Sequence, residues 1–180
     1  MRTLILALLF PVSALAETCP PAPDISGELA PLLSELKRAP DPAAAQPLTN
    51  EIWLLWTRAP DDRAQALLDE GMAKRSGYDL TGAEALLTEL VTYCPDYAEG
   101  WNQRAFVKFL DARYPEALED LERALELSPD HFAVMSGMAL TLMNLGRVEV
   151  AQSILGKAVD INPWLPERSL LTPENQRTDL

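Results

Sequence analysis

Ala98–His131 reads AEGWNQRAFVKFLDARYPEALEDLERALELSPDH, and the same spacing recurs on both sides of it. Pro95, Pro129 and Pro163 are separated by steps of 34 residues. The same step relates Ala83, Ala117 and Ala151, and also Leu87, Leu121 and Leu155. It relates Leu90, Ala124 and Ala158, then Gly71, Ala105 and Ala139, then Leu67, Trp101 and Met135. Agreement of so many registers at one period is the signature of a repeat architecture, in which each unit buries its apolar face only by stacking on a neighbour. Ala and Leu dominate while β-branched residues are sparse, so the units are helical.

These residues resemble the tetratricopeptide-repeat family, whose unit is a helix–turn–helix of this length. Trp101 stands where the family places its Trp, and Ala105 and Ala117 are the small residues that let the two helices of a unit approach. Leu121 and Ala124 fill the contact, and Pro129 closes the unit. The resemblance covers three consecutive units, 64–97, 98–131 and 132–165. It departs from the family where a Tyr is usual in the first helix, since Lys74, Lys108 and Leu142 stand there. It implies an all-α fold: an α-solenoid of tetratricopeptide helix–turn–helix pairs wound into a right-handed superhelix.

Local signals place the helix ends. Thr81-Gly82-Ala83-Glu84 reads as a capping box opening a second helix. Ser128-Pro129-Asp130 reads as an N-cap, a proline at the first helical position and an acid in the first turn. Gly77 and Gly146 read as helix terminators. Residues 17–63 read as a degenerate helical pair that caps the array. Leu29, Leu32, Leu33 and Leu36 have helical spacing, and Leu48–Thr57 forms an imperfect fourth repeat interrupted upstream by Pro40, Pro42 and Pro47. Residues 166–180 leave room for a short cap and a polar tail.

The chain opens with Arg2, a Leu- and Ala-rich run and Ala14-Leu15-Ala16, the layout of a cleaved secretory signal peptide over residues 1–16. The apolar run is too short to span a bilayer, so the mature chain is expected not to insert in a membrane. Glu17 is out of place for lipidation at Cys19. The expected location is the periplasm, with cleavage after Ala16. The formal charge of −12 becomes more negative once Arg2 is removed, which disfavours nucleic acid and anionic lipid as partners. Its main reading is solubility, and it also admits a basic partner. In an exported chain the pair Cys19 and Cys94 reads as a disulfide, the alternative being two unrelated thiols.

The inventory for catalysis is thin. His131 is the one histidine, with no Cys or second His at ligand spacing. No Gly-rich phosphate loop is present. The chain is therefore expected to be no enzyme, to hold no metal and to need no cofactor. The carboxylates from Glu116 to Glu126, with Glu119 four residues before Arg123, read as a solvated helix face.

Binding is the remaining function class. In the resembled family the first helix of each unit lines a concave groove. Here that face holds Leu68, Met72 and Arg75, then Asn102, Phe106 and Phe109, then Ser136, Leu140 and Met143, with Asn144 at the edge. The candidate partner-binding residues are Met72, Asn102, Phe106, Phe109, Leu140, Met143 and Asn144. Family members that grip a C-terminal carboxylate use Lys, Arg and Asn where this chain offers Phe and Leu, so the groove suits apolar anchors of a protein or peptide. Two alternatives stand beside it. Phe106 and Phe109 could be plain core, covered by the N-terminal helical pair. The chain could also be a structural subunit of an envelope complex, bound through its convex face or an end surface around Trp53 and Trp56.

Overall fold

The computed structural model describes residues 18–172. They form eight α-helices and no strand: α1 Ser26–Arg38, α2 Pro42–Trp56, α3 Asp62–Ser76, α4 Leu80–Tyr93, α5 Ala98–Leu110, α6 Tyr114–Leu127, α7 Phe132–Asn144 and α8 Val148–Ile161. A short 3₁₀ turn follows at Pro166–Leu170. The leader read at residues 1–16 lies outside the described residues, as do residues 173–180.

From α3 onward each helix packs on the next, so that α3/α4, α5/α6 and α7/α8 are antiparallel hairpins in one stack. The periodic small residues are the reason the pairs close. Ala83, Ala105, Ala117, Ala139 and Ala151 are all fully buried. At Gly71 the fit is closest: a Cβ there would meet Leu87 Cγ at 2.9 Å.

The turn inside each unit is also periodic. Asp79 N–H reaches the Lys74 carbonyl, Arg113 N–H that of Lys108, and Arg147 N–H that of Leu142, each at 2.9 Å. This is the hydrogen bond of a helix ended by a left-handed residue. That residue is Tyr78, Ala112 and Gly146 in the three units, with φ of 62°, 56° and 75°. Gly77 is the C-cap of α3 but keeps a negative φ of −82°, so the left-handed role expected of it falls to Tyr78.

Two other helix starts differ from the sequence reading. α4 is capped by Asp79, whose carboxylate accepts Gly82 N–H at 2.9 Å. Thr81 lies inside the helix, because an ionised acceptor at the preceding turn outcompetes its hydroxyl. α6 ends at Leu127 with Ser128 as its C-cap, and α7 begins only at Phe132. Pro129 and Asp130 form the turn between units, and His131 is the cap that accepts Val134 N–H.

The face from Glu116 to Glu126 is only partly solvated. Asp120 is buried and takes a two-pronged bond from Arg104, at 2.8 Å and 2.7 Å, and an ion pair from Lys108 at 2.8 Å. Arg123 bonds Glu126 and Asp96, not Glu119.

The N-terminal pair does not extend the stack. The packing that joins α4 to α5 and α6 to α7 has no counterpart between α2 and α3. Instead α1 reaches α8, and the Trp164 indole N–H donates to the Ala39 carbonyl at 3.2 Å. Leu36, Ala45, Ile52 and Trp56 join the apolar core of α6, α7 and α8. The first unit keeps a separate core of Ala64, Leu68, Ala83, Leu87 and Leu90, with Tyr97 and Val107. The imperfect fourth repeat is therefore a hairpin folded back over the later units. Asp41 and Pro42 turn it, with the Asp41 carboxylate accepting Ala44 N–H at 2.8 Å. Cys19 and Cys94 are disulfide-bonded, with Cα atoms 5.2 Å apart, and tie the arm before α1 to the end of α4.

The contact at Gly71 gives a direct check of the packing argument. Gly71→Val should lower stability by about 2 kcal/mol, an overpacking effect, and should shift the urea midpoint without changing the slope.

Candidate functional site

α3, α5 and α7 lie side by side and form one face of the stack. A cavity of about 350 Å³ opens on it. Its floor is Asn102, Phe106 and Phe109 from α5 with Ser136 and Leu140 from α7, and Trp53 of α2 and Glu167 of the 3₁₀ turn wall it on other sides. Phe106 is 45% exposed and so is no core residue. The Arg75 guanidinium lies over its ring, 4.6 Å from the centroid. Burial pulls the Arg75 pKa below its ordinary value. Phe109 is half-buried and meets Tyr114 edge-on at 5.5 Å.

The other candidates lie apart from this cavity. Met72 packs against the core of the first unit, and Met143 against that of the later units. Asn144 is exposed, and its side-chain N–H₂ donates to the Leu140 carbonyl at 2.9 Å. Arg75, Gln103, Trp53 and the 3₁₀ turn are lining residues outside the candidate set. Arg75 and Ser136 were legible on the helix face by the repeat register. Trp53 and Glu167 come from outside the register, so no periodic signal could place them.

A second constellation sits at the helix starts beneath the hairpin. Glu99 and His131 are each only 1% exposed. Val134 N–H donates to His131 Nδ1 at 3.3 Å, so that nitrogen carries no proton. The ring proton is on Nε2, which donates to Glu99 Oε2 at 3.1 Å. Glu99 also accepts from Asn102 at 3.0 Å and 3.2 Å and from Gln103. Gln103 in turn accepts from Arg75. The indole of Trp56 stacks on His131 with ring centroids 3.5 Å apart and meets Phe132 edge-on. A carboxylate–histidine pair could do acid–base chemistry. Here the carboxylate is filled with donors and the imidazole is roofed by Trp56, so the pair is a structural link between α5 and α7. No cluster of metal-ligating groups occurs among the described residues.

At the end surface read around the two tryptophans, Trp56 is 5% exposed and Trp53 lines the cavity, while Leu54 between them is 67% exposed. No described helix is long and apolar enough to cross a membrane.

The helix pairs and their shared inner face define a helical-repeat scaffold. Residues 109–164 match the family model described as tetratricopeptide repeat. A tetratricopeptide repeat-containing protein of Rhizobium etli is 33% identical over 135 residues, covering 73% of this chain and 65% of its own length. The chain thus spans slightly under two thirds of that relative. Among solved structures, the TPR2B domain of yeast Sti1 in complex with an Hsp70 peptide superimposes with a TM-score of 0.57 at 22% identity, covering 61% of this chain and 91% of that one. The first TPR of Spaghetti (RPAP3), bound to the HSP90 peptide SRMEEVD, gives 0.60 at 16%, covering 64% and 91%. MamA gives 0.53 at 17%, covering 77% and 82%. These likenesses are likenesses of fold.

Tyr97 offers a test of the packing under the hairpin. Its hydroxyl donates to the Trp56 carbonyl at 2.9 Å. Burial raises the Tyr97 pKa well above its ordinary value. The unfolded chain then loses this proton first, so the stabilisation is complete below about pH 10 and is lost as pH climbs toward the raised folded value. Tyr97→Phe should cost about 1 kcal/mol at neutral pH and flatten the fall in stability above pH ~10, read from urea unfolding across that range.

Proposed function

We propose that this chain is a non-catalytic protein–protein interaction module that holds a peptide or protein partner on the face of α3, α5 and α7. One observation carries the reading: a half-open apolar cavity with a large exposed aromatic ring, Phe106, on its floor, on the inner face of a repeat stack. An exposed Phe at the centre of a concavity is the feature that anchors a partner side chain. Tetratricopeptide domains of the same fold are seen with chaperone peptides. Trp53 and the 3₁₀ turn wall the cavity in part, which favours a short apolar anchor over a long extended tail.

The compartment we propose is the bacterial periplasm, with an adaptor or assembly role in the cell envelope and with the leader removed after Ala16. The disulfide between Cys19 and Cys94 supports an oxidising location. The acidic surface supports a protein partner over nucleic acid.

Crosslinking capture from periplasmic extract tests this. Wild type should retain a specific partner that Phe106→Glu loses, while circular dichroism of the variant stays unchanged. Equal capture by both proteins would remove this face from consideration.

A further inference from the structure

The inner face is already partly filled, and the filler belongs to this chain. α2 puts Trp53 on the wall of the cavity, lays Trp56 on the His131 ring and buries Ile52 in the core of the later units. These three residues, at i, i+1 and i+4, share one side of the helix. Yet α2 is not a member of the stack, for the extensive packing that joins α4 to α5 and α6 to α7 is not repeated between α2 and α3. A helix that lies on the inner face by its apolar side, without joining the repeat packing, occupies the place of a ligand helix. Resting on the reading of this face as the partner site, we infer that the face of α5 and α7 takes an amphipathic helix with aromatic anchors three residues apart, and that α2 is an internal copy of that ligand.

Two features show how the place is held. The hairpin is leashed at both ends, through the link from α2 to α3 and through the Cys19–Cys94 bond. A leashed occupant acts at an effective concentration in the millimolar range, so an external helix of micromolar affinity finds little free groove. The fit of the occupant is also incomplete. The Trp56 indole N–H is buried and has no acceptor among the described residues, a defect that a better-matched anchor would lack. The Cys19 side of the leash is the part that can be opened with least change to the stack, since Cys19 lies in the arm before α1 and packs only at the edge of the first unit's core, in which Cys94 is buried.

The test uses the full chain and a fluorescein-labelled peptide of residues 41–58, followed by anisotropy. Cys19→Ser, which leaves buried Cys94 in place, should bind the peptide at least about tenfold more tightly than the disulfide-closed wild type. A peptide with both tryptophans replaced by alanine should lose at least about tenfold on the same protein. Hydrogen exchange of α1 and α2 amides should quicken in Cys19→Ser while that of α3 to α8 holds. Wild type reduced with dithiothreitol should behave as the variant does. Equal peptide binding in the open and closed proteins, or indifference to the tryptophans, overturns the inference. So does faster exchange spread over α3 to α8, which would mark a general loosening. If a partner is captured through Phe106 while the peptide fails, the inference falls and the binding face stands.

Discussion

Four side chains converge beneath the hairpin, and the rest of the arrangement depends on how they satisfy each other. Glu99 lies at the start of α5 with almost no access to water. A buried carboxylate costs several kcal/mol unless donors surround it. Asn102 and Gln103 supply them from the same helix, and His131 supplies one from the cap of α7. That last bond fixes both the tautomer and the plane of the imidazole, because Val134 N–H holds the other nitrogen. A ring so fixed offers a flat platform, and Trp56 stacks on it. The polar link between two repeats thereby becomes the seat of the hairpin.

The consequence is a molecule with two apolar cores. The first unit builds its core together with Tyr97 and with Val107 of α5, while the hairpin shares its core with the later units. The Cys19–Cys94 bond closes a loop spanning 75 residues that contains the hairpin and ties it to the end of α4. In the chain-entropy account such a loop stabilises by roughly 4 kcal/mol, acting on the unfolded chain. The inner face keeps only the portion that the hairpin leaves open. That portion is a cavity with Phe106 and Leu140 on its floor and Trp53 on its wall.

The repeat was legible because it is a packing requirement written at fixed spacing. Ala83, Ala117 and Ala151 recur since helices within a unit cannot approach with larger side chains there. Phe106 and Asn102 were placed on the right face by the same register. Met72, Met143 and Asn144 obey that register but fall outside the cavity, because a groove narrowed by a hairpin uses only its centre. Local signals did less well. Thr81 has the residue type of a cap, yet Asp79 takes the role as the stronger acceptor. Tyr78 gave no sign of a left-handed turn, since only its place in the period forces that conformation. Asp120 looked like one more surface acid among many, and its burial comes from Arg104 and Lys108 reaching across from α5.

The sequence by itself determined the period, the helical class, the order of the units and the face that each first helix presents. All of these follow from contacts between residues within one repeat length, so the pattern of small and large side chains specifies them. Only the tertiary structure decided where α1 and α2 lie. Their apolar faces must be covered, and either α3 or the later units could cover them by composition alone. The choice is made by long-range contacts, Trp56 on His131, Tyr97 to the Trp56 carbonyl and Trp164 to Ala39, which join residues far apart in the chain. No local spacing records such contacts, because their energy arises only after the stack has brought both partners together.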